Sequence, residues 1–566
     1  MSETHEPLGY IVGGGLKEGL RVRLTTPADQ VQEGSFVVCD SGRFRYYGLV
    51  TDLHLGATDP RFADESGERL QPLIKQALLG QTVFTILEMY STLLMDMGPD
   101  LLDPKRAAWE DAVAKGLEQP GPKPVKTVPA HHARVRPADE ADVADIFGKD
   151  GFEVGHTIEQ GYPVRLDLKR FVQRSSGIFG ATGTGKSFLT RMVLAGLMCE
   201  DTAAALVFDM HNEYAYSDLD SDQGQNVLGL KDLFKERVQV AALGKGAKVR
   251  GQTPDFTLEI AWDDFEVGDI SFLASTLKLT DTAASTLNAL ARSFGHGWFA
   301  GFMALEPGKT EYAEDGKSVP APNSVEYWAR ENNVHDAAAR ALHNRLSLIY
   351  DKRYVVERPA SPAVKAIVNK LEKGRHVILS FGEYEDDLDY LLVSNILTRK
   401  IREAWVAKTN DHKSGAPQPR PLLIAIEEAH KLLNPQVANQ TAFGTIAREM
   451  RKYFVTLLVI DQRPSGIDDE VMSQLGTRIT GWLGDDDDIR AVLTGLAGRD
   501  QLRGMLARLQ EKQEVLLLGW GVKMPIPVRS RRYDEAFYKA MRECKDGRGS
   551  SSALPDDYDG NDLFPD

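Results

Sequence analysis

The chain has 566 residues, of which 42% are apolar and 26% charged, and a net charge of −15. This length allows two to four domains and at least one large core. The negative balance excludes a protein that coats nucleic acid with its whole surface, but not a basic channel inside an assembly.

No stretch reaches the roughly eighteen uncharged apolar residues that span a bilayer. The longest candidate, Phe84 to Met97, holds Glu88 and Asp96. The opening Met-Ser-Glu-Thr-His-Glu lacks the basic and apolar regions of a secretory leader, so the expected location is cytoplasmic. Cys39, Cys199 and Cys544 are scattered and form neither a disulfide frame nor a zinc-ligand pattern.

Short alternating runs divided by glycine fill the stretch from Leu8 to Gly56, among them Leu20-Arg21-Val22-Arg23-Leu24, and predict the half-buried strands of a small barrel. Val83 to Met95 fits a strand or a helix. Asp103 to Lys126 reads as a linker or a surface excursion, and Thr127 to Val135 as an extended segment that completes the barrel.

From about Gly155, apolar runs alternate with helical spacing. The runs are Ser176 to Phe179, Ala204 to Phe208, Val377 to Phe381, Leu422 to Ile426, Thr456 to Ile460, Arg478 to Leu483 and Val515 to Trp520. Continuous apolar strands between helices predict an α/β domain with a parallel sheet buried on both faces. Ile270 to Phe294 and Ser324 to Tyr350 carry helical spacing around a polar loop, Gly308 to Pro322, which predicts a helical insertion. The polar Asp546 to Asp566 tail is too poor in apolar residues to offset its ordering entropy, so it is expected to be disordered.

Gly180-Ala181-Thr182-Gly183-Thr184-Gly185-Lys186-Ser187 lies between the first apolar run and a helix expected over roughly Lys186 to Leu197, with Phe188 the last of the candidate nucleotide-binding residues. Glycines let such a loop turn its N–H groups around phosphate oxygens. Lys186 then reaches the β and γ phosphates, and the Ser187 hydroxyl ligates Mg²⁺. Glu427 and Glu428 end the apolar run Leu422 to Ile426. One carboxylate supports Mg²⁺ and the other polarises an attacking water, so Ser187 and Glu427 are the candidate metal ligands. Gln462 follows another strand and can sense the γ-phosphate. Asp209, in Asp209-Met210-His211-Asn212-Glu213-Tyr214, falls at a strand's carboxyl end, where open α/β sheets bind ligands, and is expected beside Mg²⁺ or the water. An extended chain there would put Asp209, His211 and Glu213 on one side. The flexible basic stretch from Gly244 to Gly251 is a candidate for tracking a nucleic-acid backbone.

In this order, the barrel, the phosphate loop, Asp209-x-His211-x-Glu213-Tyr214, Ile426-Glu427-Glu428-Ala429-His430, Arg448-Glu449-Met450-Arg451-Lys452-Tyr453 and Gln462-Arg463-Pro464-Ser465 resemble the HerA ATPases of the HerA and FtsK superfamily. Met450 stands where that family usually has Gly, and Asp461 where it often has Ser. The resemblance implies a P-loop, RecA-like α/β core over 151–264 and 360–545. It adds a barrel with linker over 1–150, a helical insertion over 265–359 and an acidic tail over 546–566. It further implies ATP and Mg²⁺, a homo-hexamer with DNA in its central pore, and a partner nuclease of the NurA type. The activity it implies is a DNA translocase or helicase in end resection and double-strand break repair. The alternative is a ring scaffold in an antiphage complex that gates a partner effector. Arg174, Arg451 and Lys452 match positions that complete a neighbour's site in such a ring, with Arg448 a weaker match.

Overall fold

A computed structural model describes residues 6–57, 83–100, 102–219, 226–314, 317–384 and 386–543. The expected disordered tail lies outside them. The chain divides into two compact units, Met1–Lys186 with Asp461–Arg531 and Ser187–Ile460 with Arg532–Asp566, so the division falls inside the phosphate loop.

The first unit holds the barrel. Strands Gly9–Gly15, Gly19–Leu24, Val83–Asp96, Phe44–Ala57, Phe36–Ser41 and Arg134–Pro137 pair antiparallel in that spatial order, and the last returns to the first. Six strands therefore close without a free edge. The alternation read from the sequence points Leu20, Val22, Val37, Cys39, Leu87 and Met89 inward, while Arg21 and Arg23 face out. The ambiguous block after Val83 is a strand. The stretch read as a linker or a surface excursion contains a helix, Arg106–Ala114, and a two-residue strand, Lys123–Pro124, paired with the barrel.

The same unit carries Ser176–Phe179 parallel to Thr477–Thr480. Beyond it, Glu514–Gly519, Ile526–Ser530, Phe152–Thr157 and Pro163–Leu166 continue antiparallel. The sheet is thus mixed, against the parallel expectation for the last apolar run. Only a short turn separates Glu514–Gly519 from Ile526–Ser530, and antiparallel strands alone can be joined so briefly.

In the second unit every pairing of the main sheet is parallel, in the order Phe256–Leu258, Val238–Leu243, His376–Ser380, Ala204–Asp209, Leu422–Ile426 and Val455–Asp461. The first two strands had no counterpart among the expected runs. Helices Val267–Phe272, Ala283–Phe294, Trp298–Met303, Val325–Glu331 and Asp336–Tyr350 form the insertion. Its core includes Phe265 stacked on Phe299 at 4.4 Å and the Trp298 indole donating to the Phe265 carbonyl at 2.9 Å. The expected polar loop contains a hairpin, Thr310–Tyr312 with Ser318–Pro320.

Among the described residues no helix is long and apolar enough to cross a membrane. Cys39 is a free thiol whose pKa burial pushes up to about 12.

Candidate nucleotide site

In the first unit the strand Ser176–Phe179 is buried throughout and delivers the chain to the phosphate loop. The loop is pinned at its base. Ala181 N–H donates to the Trp482 carbonyl at 3.0 Å, and the Thr184 hydroxyl donates to the Ala181 carbonyl at 2.8 Å. A Cβ on Gly180 would stand 2.6 Å from that hydroxyl oxygen, so a larger residue there would push the Thr184 hydroxyl from its place. At the crest, Thr182, Gly183 and Gly185 are exposed, and the two glycines have φ of +82° and +86°, a left-handed conformation that L side chains resist. Lys186 is half-buried and opens the helix Lys186–Glu200, whose first turn holds no acidic side chain. The helix therefore offers its N–H groups and positive dipole end to an anion.

The Thr182 hydroxyl donates to Oε1 of Gln462, so the loop and the amide singled out beyond the strand Val455–Asp461 do meet. Asp461 is buried, and its carboxylate accepts from the Arg463 N–H at 2.7 Å, shaping the turn into Pro464. Arg174 lies at the other end of its strand, just before Ser176, and its guanidinium rests 4.5 Å from the centroid of the Trp520 ring.

In the second unit, Ser187 and Phe188 belong to the first turn of the helix, with the Phe188 ring 6.4 Å from that of Tyr533. Asp209, Glu427 and Glu428 gather at the carboxyl ends of two adjacent parallel strands. Asp209 is wholly buried and accepts from the N–H of Glu213 at 2.7 Å and of Tyr214 at 3.0 Å. Burial pushes its pKa up to about 6, against the pull of those two hydrogen bonds. The chain turns at Met210 instead of staying extended, so Asp209 faces inward while His211 is exposed. The expected shared side for Asp209, His211 and Glu213 does not form.

Glu427 is 6% exposed, and its Oε1 accepts from the buried Tyr214 hydroxyl at 2.6 Å. Burial, then the neighbouring Glu427, drive the Tyr214 pKa well above its usual value, so the phenol stays a donor. The Tyr390 hydroxyl donates to the Glu427 carbonyl at 2.7 Å. Glu428 has φ of +46°, a conformation that costs a non-glycine residue about 1–3 kcal/mol and that concentrates at functional sites. Its Oε2 is 3.8 Å from His430 Nδ1. The buried Arg191 guanidinium donates from Nε to the Glu213 carbonyl at 2.9 Å, holding the same turn from the helix.

Arg451 and Lys452 occupy the turn Met450–Tyr453 before the strand Val455–Asp461, with the Lys452 ammonium 5.2 Å from the Tyr453 ring centroid. That is the amino edge of the parallel sheet. Leu422 is level with Val455 and Ile426 with Val459, which sets Glu427 roughly 16 Å along the strands from that edge. The basic stretch after Gly244 is tied down at Arg250, which donates from Nε to the Asn212 carbonyl at 2.5 Å and pairs with Asp218. Tyr214, Tyr390, Arg191 and Trp482 had no assigned role in the sequence. Only Tyr214 carried a signal, as the last residue of a motif already singled out.

A family model described as the central domain of helicase HerA matches residues 152–401. A "Probable DNA double-strand break repair helicase HerA" from Methanocaldococcus jannaschii is 30% identical over 445 residues, 73% of this chain and 83% of that protein. The chain belongs to the HerA helicase family. As a HerA-family chain with this loop it is a P-loop ATPase. A "DNA double-strand break repair helicase HerA" of Sulfurisphaera tokodaii is 24% identical over 533 residues, 93% of each chain. Among solved structures, VirB4 of Thermoanaerobacter pseudethanolicus aligns over 68% of this chain and 97% of its own, at 16% identity and a TM-score of 0.43.

Proposed function

We propose that this ATPase is a DNA translocase that works as a ring of six, with DNA in its central pore and a partner nuclease of the NurA type, in the resection of DNA ends for double-strand break repair. The observation that carries the reading is the buried Glu427 carboxylate, clamped by the Tyr214 hydroxyl beside the strained Glu428 at the carboxyl edge of a parallel sheet. Curated relatives that match most of the chain bear the name of double-strand break repair helicases, which supports the substrate.

Each side chain then has its own part in the reaction. The N–H groups of residues 180 to 187 and the Lys186 ammonium hold the triphosphate. Ser187 and Glu427 present the hard oxygen donors that Mg²⁺ takes, Glu427 through water. Among the described residues no cluster of three or more His, Cys, Asp or Glu side chains could hold a metal by itself, and a phosphate-borne ion needs none. When bound, Mg²⁺ neutralises charge on the transferring phosphoryl. Glu428 orients and polarises the water, Gln462 reports the γ-phosphate to the turn after it, and Asp209 holds the Glu213–Tyr214 turn so that Tyr214 meets Glu427. Phe188 lines the nucleotide side of the helix.

Arg174, Arg451 and Lys452 stand at the amino ends of their strands, away from the carboxyl edge where the chemistry is proposed. That placement supports their action on a neighbouring subunit's nucleotide; the cytoplasm is the setting proposed for the ring. The deciding experiment measures DNA-stimulated ATP turnover and strand displacement with the copurified partner. Lys186→Ala is expected to abolish both. Intact turnover in that variant would overturn the assignment of the loop, and turnover without DNA movement beside a non-nuclease partner would replace the translocase with a gated scaffold.

A further inference from the structure

The first unit contains a second arrangement around Arg174 that the roles above do not use. Trp520 follows the strand Glu514–Gly519 and is 36% exposed, unusually open for an indole held on so many sides. Its N–H donates to the Gly476 carbonyl at 2.7 Å, and its indole Nε1–H donates to Gln173 Oε1 at 3.1 Å. The next residue, Gly521, donates to the Thr477 hydroxyl at 2.9 Å. Backbone and ring are thus both fixed. On this ring lie two guanidiniums, Arg174 at 4.5 Å and Arg170 at 5.0 Å from the centroid. The Arg174 stem passes over Gly476, where an added Cβ would come within 2.7 Å of both Arg174 Cβ and Cδ.

An arginine that must reach across to another molecule loses rotamer entropy when it does so, and a flat aromatic face removes part of that cost in advance by holding the planar guanidinium in one orientation. Gly476 leaves the stem its track, Gln173 sets the tilt of the indole, and the ring supplies the face. We infer that Trp520 is a positioning residue for Arg174, holding its guanidinium ready for the nucleotide of a neighbouring subunit. The inference rests on the proposed action of Arg174 in trans and names the device that prepares it.

The test compares ATP turnover, KM and nucleotide affinity of the full chain in five forms: the native protein, Trp520→Ala, Trp520→Phe, Arg174→Ala and the Trp520→Ala/Arg174→Ala double variant. Trp520→Ala is expected to lower kcat about three- to tenfold, with KM and nucleotide Kd within about twofold, and Trp520→Phe to recover most of the loss because a phenyl keeps the cation-binding face. Adding Trp520→Ala to Arg174→Ala is expected to cost nothing more, since the ring acts only through the guanidinium. A double variant that loses as large a factor again overturns the inference, as does native turnover in Trp520→Ala. If Arg174→Ala turns over like the native protein, the reading of Arg174 itself fails and takes the inference with it, a result distinct from the other two.

Discussion

The Tyr214 hydroxyl and Glu427 Oε1, 213 residues apart in sequence, meet at 2.6 Å and join the ends of two neighbouring parallel strands. A hydrogen bond to a charged, buried carboxylate contributes about 1.5–3 kcal/mol and fixes where the carboxylate points. Tyr214→Phe is therefore expected to lower ATP turnover about tenfold and stability by about 1–3 kcal/mol. Steady-state turnover and urea unfolding read the two effects. Native turnover in this variant would mean that Glu427 holds its orientation by other means.

Glu428 combines a strained backbone with the carboxylate assigned to the water, so its two costs can be separated. Glu428→Gly relieves a left-handed φ and is expected to leave stability unchanged or raise it by about 1 kcal/mol, while turnover falls about a hundredfold or more. Glu428→Gln keeps the strain, loses the turnover and retains nucleotide binding. Thermal unfolding with and without nucleotide checks both variants. A Glu428→Gly protein that unfolds at lower temperature than native would show that the strain is not stored at this residue.

Asp209 carries a pH dependence whose sign follows from its raised pKa. Burial lifts the folded value to about 6, above the unfolded value near 4. The ionised form thus costs stability above pH 6, and that cost is relieved as pH falls from about 6 toward about 4. Function moves the other way. A proton on either oxygen removes an acceptor from the Glu213 or Tyr214 N–H, loosening the turn that aims Tyr214 at Glu427. Turnover is expected to fall through an acid limb near pH 6, and Asp209→Asn to show low turnover with that limb gone. A limb that persists in Asp209→Asn belongs to another group.

What the sequence disclosed and what it withheld divide along the range of the forces involved. The phosphate loop was legible because glycines, lysine and serine within eight residues dictate their own backbone, and the barrel because alternation is local. The strand Val238–Leu243 was not, since Gln239 interrupts its apolar run and only its neighbours His376–Ser380 and Phe256–Leu258 make it a strand. The direction of Glu514–Gly519 is equally non-local, being set by its pairing with Thr477–Thr480. At the site, Glu427 and Glu428 could be read as a pair, but nothing local marks the φ of Glu428 or the partner of Tyr214. Asp209 could be placed at a strand's carboxyl end from the sequence, but its hydrogen bonds could not, because the chain turns at Met210 and the carboxylate accepts from the N–H groups of Glu213 and Tyr214.

His376 gives the sheet an opposite pH response. It is wholly buried, its Nδ1 accepts from the Ala205 N–H at 3.2 Å, and burial depresses its pKa to about 3. The unfolded chain takes up a proton near pH 6.5 that the folded chain refuses. The stability is therefore complete above about pH 6.5 and lost as pH falls toward 3, by about 2–3 kcal/mol at pH 4.5. His376→Gln is expected to flatten urea midpoints between pH 4 and 6.5. An unchanged slope would place the acid sensitivity elsewhere.

The placement of Arg451 at the amino edge of the sheet, roughly 16 Å from Glu427 along the strands, predicts complementation between damaged subunits. Arg451→Ala and Lys186→Ala proteins are each expected to be inactive alone. In a ring where the arginine serves its neighbour, a site formed by the intact loop of one variant and the intact arginine of the other is whole, so mixing equal amounts restores about a quarter of the sites. If each arginine served its own loop, every subunit in the mixture would carry one defect and no site would recover. Turnover measured before and after subunit exchange separates the two cases, and a mixture as inactive as its components would remove Arg451 from any role in trans.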